Sequence, residues 1–233
     1  MGYESKRVDK ELGPAGDLGD VKNRRRYLRD ARMRKVLGSN LGPPCTTLST
    51  MQDLTRVIRT RRHPKGVPGL SAYDQARVDE GNVHALFALQ IFGILLRLGK
   101  PCIVENPRAS RLWYFEEVEA LLAAGAQLLT LDLCAYGTRW RKRTGLLVCN
   151  LSPSAVRSLT HLCGGTGSKC GRTRRPHILL KGKDPVSGRN WTSLGQVYPR
   201  QLCKAIAKAL AEPAIDRQIS SDKSWRGRMA LPE

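Results

Sequence analysis

Residues 79–105 read DEGNVHALFALQIFGILLRLGKPCIVE, and this stretch decides the fold that the sequence predicts. Apolar residues recur at helical spacing from Val83 to Leu98, which predicts a helix over residues 79–98. Gly99 follows in the position where glycine commonly ends a helix. Residues 101–105 are a short apolar run that predicts a strand ending at Glu105. The stretch therefore predicts a helix that leads directly into a strand.

The same alternation continues on both sides of this unit. We predict strands at residues 2–9, 36–41, 127–132 and 145–149, and helices at residues 24–35, 111–124 and 198–211. Alternating strands and helices are typical of a doubly wound, mostly parallel α/β sheet, and this is the fold class we expect. The chain has 233 residues, which is enough for one such domain with a small appendage.

The net charge of the chain indicates which class of partner it binds. Its 40 Lys and Arg residues against 20 Asp and Glu residues give a formal net charge of +20. The basic residues cluster at 22–35, 56–65, 139–143 and 169–175, and such an excess favours binding to polyanions. A solvated basic surface, or a protein of the ribosomal type, is the alternative. Nucleic acid is the partner we expect, because the basic runs adjoin the reactive motifs described below.

Composition also bears on the compartment. No apolar run approaches the roughly 20 residues that cross a bilayer, and the N-terminus lacks the basic-then-apolar pattern of a secretion signal. Seven cysteines, an odd number without an export signal, favour reduced thiols over a disulfide framework. We therefore expect an intracellular protein with no membrane partner, and a cytosolic, a nuclear and a virus-encoded protein all fit the composition.

Two apolar stretches each end in a turn that contains proline and carries one reactive side chain. Residues 41–49, LGPPCTTLS, present the thiol of Cys45, and residues 103–107, IVENP, present the carboxyl group of Glu105. A thiol and a carboxyl group displayed in this way suit nucleophilic attack on a ring together with proton transfer. The alternatives are that Cys45 is a buried structural thiol and that Glu105 is a surface or capping carboxylate.

These two motifs, in this order, resemble the Pro-Cys and Glu-Asn motifs of the cytosine C5 DNA methyltransferases. Residues 136–144, YGTRWRKRT, resemble the basic motif of the same family, with Lys142 and Thr144 in place of its commoner arginines. The resemblance implies that Cys45 adds to C6 of cytosine, that Glu105 stabilises the charge driven into the ring, and that Lys142 assists. The activated C5 then takes a methyl group from S-adenosylmethionine. The target base must be flipped out or single-stranded.

Two other functions remain open beside methylation of DNA. One is an RNA cytosine-5 methyltransferase, which uses the same thiol chemistry. The other is a catalytically inactive relic of the fold that binds nucleic acid.

For the cofactor, the resemblance implies Asp9 at the ribose hydroxyls, Asp20 or Asp17 near the adenine, and Pro44 beside the cofactor. Ordinary turn roles are the alternative for the aspartates. The first motif of the family, a strand with a Gly-rich loop, would lie just upstream of residues 2–4. We therefore expect an N-terminally truncated and impaired enzyme, or one part of a split enzyme whose missing segment comes from a second polypeptide.

Cysteine and histidine residues cluster in a basic, Gly-rich segment near the C-terminus. His161, Cys163, Cys170 and His177 offer two sulfur and two imidazole ligands, which can close a tetrahedral zinc site, and Cys149 is a substitute for one of them. Loosely ordered free thiols are the alternative. A metal ion would explain how a segment with little apolar content folds.

The sequence thus predicts four parts. Residues 1–149 are a methyltransferase-like core without the first cofactor motif, and residues 150–193 are a short Cys/His insert in the target-recognition position. Residues 194–211 form a C-terminal helix that returns to the core, and residues 212–233 are a flexible tail.

Overall fold

The structure is a computed structural model that describes residues 4–166 and 168–212. The start of the predicted first strand and nearly all of the predicted tail lie outside the described residues. In chain order, the α-helices and strands are α1 Val21–Arg32, β1 Ser39–Leu41, α2 Ala72–Arg97, β2 Cys102–Pro107, α3 Glu116–Ala123, β3 Gln127–Asp132, β4 Arg143–Cys149, α4 Pro153–Ser158, α5 Trp191–Leu194 and α6 Arg200–Ala211. Short 3₁₀ helices lie at Lys10–Leu12, Pro14–Gly16, Thr50–Leu54, Arg111–Tyr114 and Leu133–Tyr136.

The strands of the described residues form one four-stranded sheet in the order β1-β2-β4-β3. β1 pairs in parallel with β2, whereas β4 is antiparallel to both of its neighbours. The mixed α/β class is confirmed. The predicted doubly wound, mostly parallel sheet is not confirmed, because the pairings within this open sheet are mostly antiparallel.

The link between β3 and β4 causes this difference. Residues 133–142 contain only the 3₁₀ helix Leu133–Tyr136, and not the crossover helix that a parallel connection requires, so the chain turns back and β4 opposes β3. β4 also opposes β2, so β1, β2 and β3 all run in the same direction. Their carboxyl ends therefore lie at one edge of the sheet, which we call the site edge.

The helices differ from the prediction mainly at their ends. α2 begins at Ala72 and not at residue 79, because the Ser71 hydroxyl accepts a hydrogen bond of 3.2 Å from the Asp74 N–H and caps an earlier, polar turn. The predicted helix 111–124 is divided into a 3₁₀ helix and α3.

Residues 4–9 form no strand. None of the described helices combines the length and the apolar character that a membrane span requires.

Helices cover both faces of the sheet. One face packs through Val104 and Leu147 in a core that includes much of α2, and the other packs through Ile103 and Leu146 in a core that includes α4 and α6. Side chains alternate between the faces along a strand. Glu105 therefore shares the α6 face with Ile103, while its neighbour Asn106 shares the α2 face.

Candidate functional site

The turn that carries Cys45 is fixed to β2 at the site edge. Asn106 is 1 % exposed, and its Nδ2 donates a hydrogen bond of 2.9 Å to the carbonyl oxygen of Pro43. The parallel register pairs Leu41 with Val104. Gly42 consequently lies so close to β2 that a Cβ there would be 3.9 Å from Glu105 Oε2. The Pro-Cys and Glu-Asn motifs, far apart in sequence, are therefore adjacent in the fold.

Glu105 is a buried carboxyl group with incomplete hydrogen bonding. The residue is 8 % exposed, and its Oε1 atom is buried without a hydrogen-bond partner. The Lys142 ammonium lies 4.0 Å from this atom, and the Tyr198 hydroxyl donates to the carboxyl group. Burial raises the pKa of Glu105, while Lys142 and Tyr198 oppose that shift. The group is therefore held closer to its protonated form than an ordinary glutamate.

The Cys45 thiol responds to both of these neighbours. Burial raises the pKa of Cys45, the charge of Lys142 lowers it, and the charge of Glu105 raises it again. The structure thus brings Cys45, Glu105 and Lys142 within electrostatic reach of one another. Lys142 is the one of the three that favours the thiolate, which is the nucleophilic form.

A buried arginine, which the sequence did not single out, supports the Cys45 turn. Arg59 is 1 % exposed and donates from Nη2 to the Thr47 hydroxyl at 3.1 Å, two residues after Cys45, and to the Val78 carbonyl of α2 at 2.9 Å. Burial lowers the pKa of Arg59 to about 10. Gly81 leaves room for this contact, since a Cβ there would be 2.5 Å from Thr47 Oγ1.

The residues proposed for the cofactor have other partners. Asp9 caps the 3₁₀ helix Lys10–Leu12 by accepting from the Glu11 N–H at 3.1 Å, and Asp20 caps α1 by accepting from the Lys22 N–H at 2.8 Å. Pro44 is exposed beside Cys45. The two carboxylates thus have the turn roles that were the alternative reading, and their contact with a cofactor remains a prediction.

A second cluster follows β3 at the same edge. Cys134, Cys163, Cys170 and His177 place one ligand atom each within 4.8 Å of all the others, and Cys163 Sγ lies 3.7 Å from His177 Nε2. Zinc bonds of about 2.0–2.3 Å require tetrahedral ligands to be about 3.3–3.8 Å apart. A small contraction would satisfy this geometry, so these four residues, which we call the metal cluster, can hold a metal ion.

The ligand set differs from the predicted one by one residue. His161 is exposed and packs against Tyr136, with ring centroids 5.6 Å apart, and the structure places Cys134 in the cluster instead. Cys149 is buried in β4, where its thiol donates to the Lys100 carbonyl at 3.7 Å. Cys134 was missed because β3 turns directly into a 3₁₀ helix that returns this residue to the insert. The position of Cys134 just after a predicted strand was the one sequence feature that could have identified it as a ligand.

The thiols of the cluster differ in acidity. Backbone N–H groups of Thr173 and Arg172 lower the pKa of Cys170 to about 6. Burial and the neighbouring Cys163 raise the pKa of Cys134 to about 12. The Cys170 thiol therefore ionises more readily than the Cys134 thiol, and a bound cation would favour the thiolate form of the ligands. A cavity of about 300 Å³ adjoins the cluster, lined in part by Cys134, Cys163 and Cys170.

Asp132 connects the two clusters, and the sequence analysis missed it. It is fully buried at the end of β3 and accepts from Arg141 Nε at 3.1 Å, from Arg143 Nε at 3.1 Å and from the Cys163 N–H at 2.9 Å. Burial acts to raise the pKa of Asp132, but these donors outweigh it and lower the pKa. A charged carboxylate therefore joins the metal cluster to both neighbours of Lys142.

Comparison of the chain with protein families, with curated proteins and with solved structures finds no match.

Proposed function

We propose that this chain activates cytosine in DNA for methyl transfer to C5 by adding the Cys45 thiolate to C6. One observation carries the proposal, namely that the buried Oε1 atom of Glu105 has no hydrogen-bond partner at the edge where Cys45 and Lys142 also lie. Buried polar atoms are nearly always hydrogen-bonded, so an exception at a cluster of reactive groups favours a ligand. The N3 and 4-amino edge of cytosine supplies groups that would satisfy this carboxyl.

The chemistry is an addition across the C5–C6 bond with proton transfer to the ring. The Cys45 sulfur forms a bond to C6, and the electron pair of the double bond moves to C5 and into conjugation with N3. Because burial raises the pKa of Glu105, this carboxyl takes up a proton more readily than an ordinary glutamate, and it can pass that proton to N3 as negative charge develops in the ring. The Lys142 ammonium stabilises the thiolate before attack, since its charge lowers the pKa of Cys45. The product is an adduct with a nucleophilic C5.

S-adenosylmethionine is the methyl donor that the family resemblance implies. Asp9 and Asp20 are engaged as helix caps, so the described residues do not support the predicted cofactor contacts. The steps derived from this chain therefore end at the activated C5. The same observation favours a second candidate function, a nucleic-acid-binding protein that does not complete methyl transfer.

We also infer that the metal cluster binds zinc, and that this zinc ion has a structural role. Three sulfurs and one imidazole are a frequent ligand set for structural zinc. Such a site has four protein ligands and leaves no open position for catalysis. The insert contains little buried apolar surface, and a metal ion would supply the free energy that orders it.

Two modified oligonucleotides test the covalent step and the methyl transfer separately. A 2-pyrimidinone base lacks the 4-amino group and accepts a thiolate at C6 without a methyl donor. A 5-fluorocytosine base traps the enzyme only after methyl transfer, because fluorine cannot leave C5 as a proton does. Each is supplied as DNA and as RNA, with and without S-adenosylmethionine, to wild type and to Cys45→Ser.

We expect a denaturant-resistant adduct between wild type and the 2-pyrimidinone DNA, and none with Cys45→Ser. A 5-fluorocytosine adduct that requires S-adenosylmethionine would establish methyl transfer. The 2-pyrimidinone adduct alone would retain covalent activation and reject transfer by this chain. Preference for RNA would replace the DNA substrate. Absence of every adduct would reject the enzyme and leave the nucleic-acid-binding protein.

A further inference from the structure

Hydrogen bonds from residues beside the metal cluster fix the backbone of the segment that carries Lys142. The Lys142 side chain points to Glu105, while its carbonyl oxygen accepts a 3.1 Å hydrogen bond from the Leu133 N–H. Leu133 immediately precedes Cys134, the cluster residue contributed by the 3₁₀ helix after β3. The backbone of Lys142 therefore depends on the position of Cys134.

The insert fixes both flanks of Lys142 as well. The Ile178 N–H, next to His177, donates to the Arg139 carbonyl at 2.9 Å. The Cys163 N–H donates to Asp132, which also binds the side chains of Arg141 and Arg143. Three of the four cluster residues are thus one or two hydrogen bonds away from the segment that presents Lys142.

Little apolar burial holds the insert in this position. Among the described residues from 160 to 190, Cys170 is the one buried residue. With so little apolar burial, a metal ion that crosslinks the four ligands of the cluster is an efficient source of the free energy that orders this segment.

We infer that zinc bound by Cys134, Cys163, Cys170 and His177 positions Lys142 against Glu105 and so controls the reactivity of Cys45. The metal centre is then a positioning and regulatory element of the covalent site. This inference rests on the proposed function for its catalytic consequence. The thiol reactivity itself is measurable without any substrate, so the two ideas can fail separately.

The charged groups that face Cys45 are Lys142, from the turn before β4, and Glu105, from β2, and the Tyr198 hydroxyl before α6 binds that carboxyl. Loss of zinc frees Lys142 to move away and leaves Glu105 in place. We therefore expect the thiol to become less reactive when zinc is removed, even though the structure is looser.

The test is the rate at which iodoacetamide alkylates Cys45 as a function of pH, followed by mass spectrometry of its peptide. The full chain is compared with zinc bound and after chelation, with the exposed thiol of Cys203 as the internal reference. We expect chelation to move the midpoint for Cys45 upward by about one pH unit, or about tenfold slower alkylation below both midpoints. Readdition of zinc should restore the rate.

Variants assign the effect to Lys142. Lys142→Met should be slow both with and without zinc, and Cys170→Ser should behave as the chelated wild type. His161→Ala, which alters a histidine outside the cluster and keeps the Cys203 reference, should respond to chelation as wild type does. Faster alkylation after chelation would indicate unfolding and overturn the inference. Equal rates with and without stoichiometric zinc, or failure of the chain to bind zinc, would overturn it as well.

Discussion

The Asn106 side-chain amide donates a 2.9 Å hydrogen bond to the carbonyl oxygen of Pro43, joining residues that are 63 positions apart in the chain. This contact places the turn of Cys45 on the strand of Glu105. Each motif contains half of the pair, so the motifs are complementary structural parts as well as neighbours. Asn106 is 1 % exposed, and its side chain acts at this joint away from solvent.

Replacement of Asn106 by Ala should detach the Cys45 turn. Loss of a buried hydrogen bond leaves the Pro43 carbonyl without its partner, which costs about 1–3 kcal/mol in the free energy of unfolding. Chemical denaturation would measure this loss. Asn190→Ala is the matched control, because Asn190 is exposed and makes no side-chain cap to α5. Equal stability of the two variants would contradict a structural role for the Asn106 contact.

The two charged neighbours of Cys45 should have opposite effects on its thiol. Lys142 lowers the pKa of Cys45 and Glu105 raises it. Lys142→Met should therefore slow iodoacetamide alkylation of Cys45 and move its pH midpoint upward, whereas Glu105→Gln should accelerate alkylation and move the midpoint downward. Shifts in the same direction for both variants would show that packing, and not charge, determines the reactivity.

Glu105 should make the stability of the protein depend on pH. Burial raises its folded-state pKa above the ordinary value of 4.5, so the protonated form is favoured by folding. This contribution is complete below the unfolded pKa and is lost as pH rises through the folded pKa. Glu105→Gln should thus gain stability relative to wild type as pH rises through the folded-state pKa of Glu105.

Thermal unfolding across the pH range would measure this difference. The exposed Glu119 of α3 provides the matched control, and Glu119→Gln should show no comparable trend. A relative gain for Glu105→Gln that shrinks as pH rises would have the wrong sign for a carboxyl group with a raised pKa.

Zinc binding by single variants should distinguish the ligand set seen in the structure from the set predicted from the sequence. Cys134→Ser should lose tight zinc binding, whereas His161→Ala and Cys149→Ser should retain one zinc per chain, because Cys134 belongs to the cluster and the other two do not. Zinc content after dialysis and the visible spectrum of the cobalt-substituted protein would measure this. Retention by Cys134→Ser together with loss by His161→Ala would restore the sequence-based set.

Some parts of the fold and site were predictable because their signals are local. Strand 127–132 was predicted with the observed bounds, because an apolar run that follows Gly125 and ends at Asp132 is a local pattern. The direction of β4 was not, since it depends on the absence of a crossover helix in residues 133–142. Hydrophobic periodicity identifies elements and carries no information on how their ends connect.

The metal ligands show the same limit in the site. Three of the four cluster residues lie in one segment, where clustering in sequence reveals them, but Cys134 joins from β3 by a turn. The support for the Cys45 turn by Arg59 is likewise a tertiary contact with α2. A basic residue in a loop rich in arginine gives no sign in sequence that it is buried.

Binding to nucleic acid should depend on the basic surface of the insert more than on that of α1. The insert is tied to the Lys142 segment through Asp132 and Ile178, so a strand bound at the covalent site would also meet the exposed Arg174 and Arg175. Each phosphate contact contributes about −0.9 to the slope of log K against log salt for duplex DNA and about −0.7 for single strands. The double variant Arg174→Ala/Arg175→Ala should weaken binding and reduce the slope by about 1.5.

The matched control is Arg25→Ala/Arg29→Ala, two exposed arginines of α1 that carry the same charge. Fluorescence anisotropy with labelled DNA over a range of salt concentrations would measure both quantities, and a larger loss in the α1 variant would place the nucleic acid away from the covalent site.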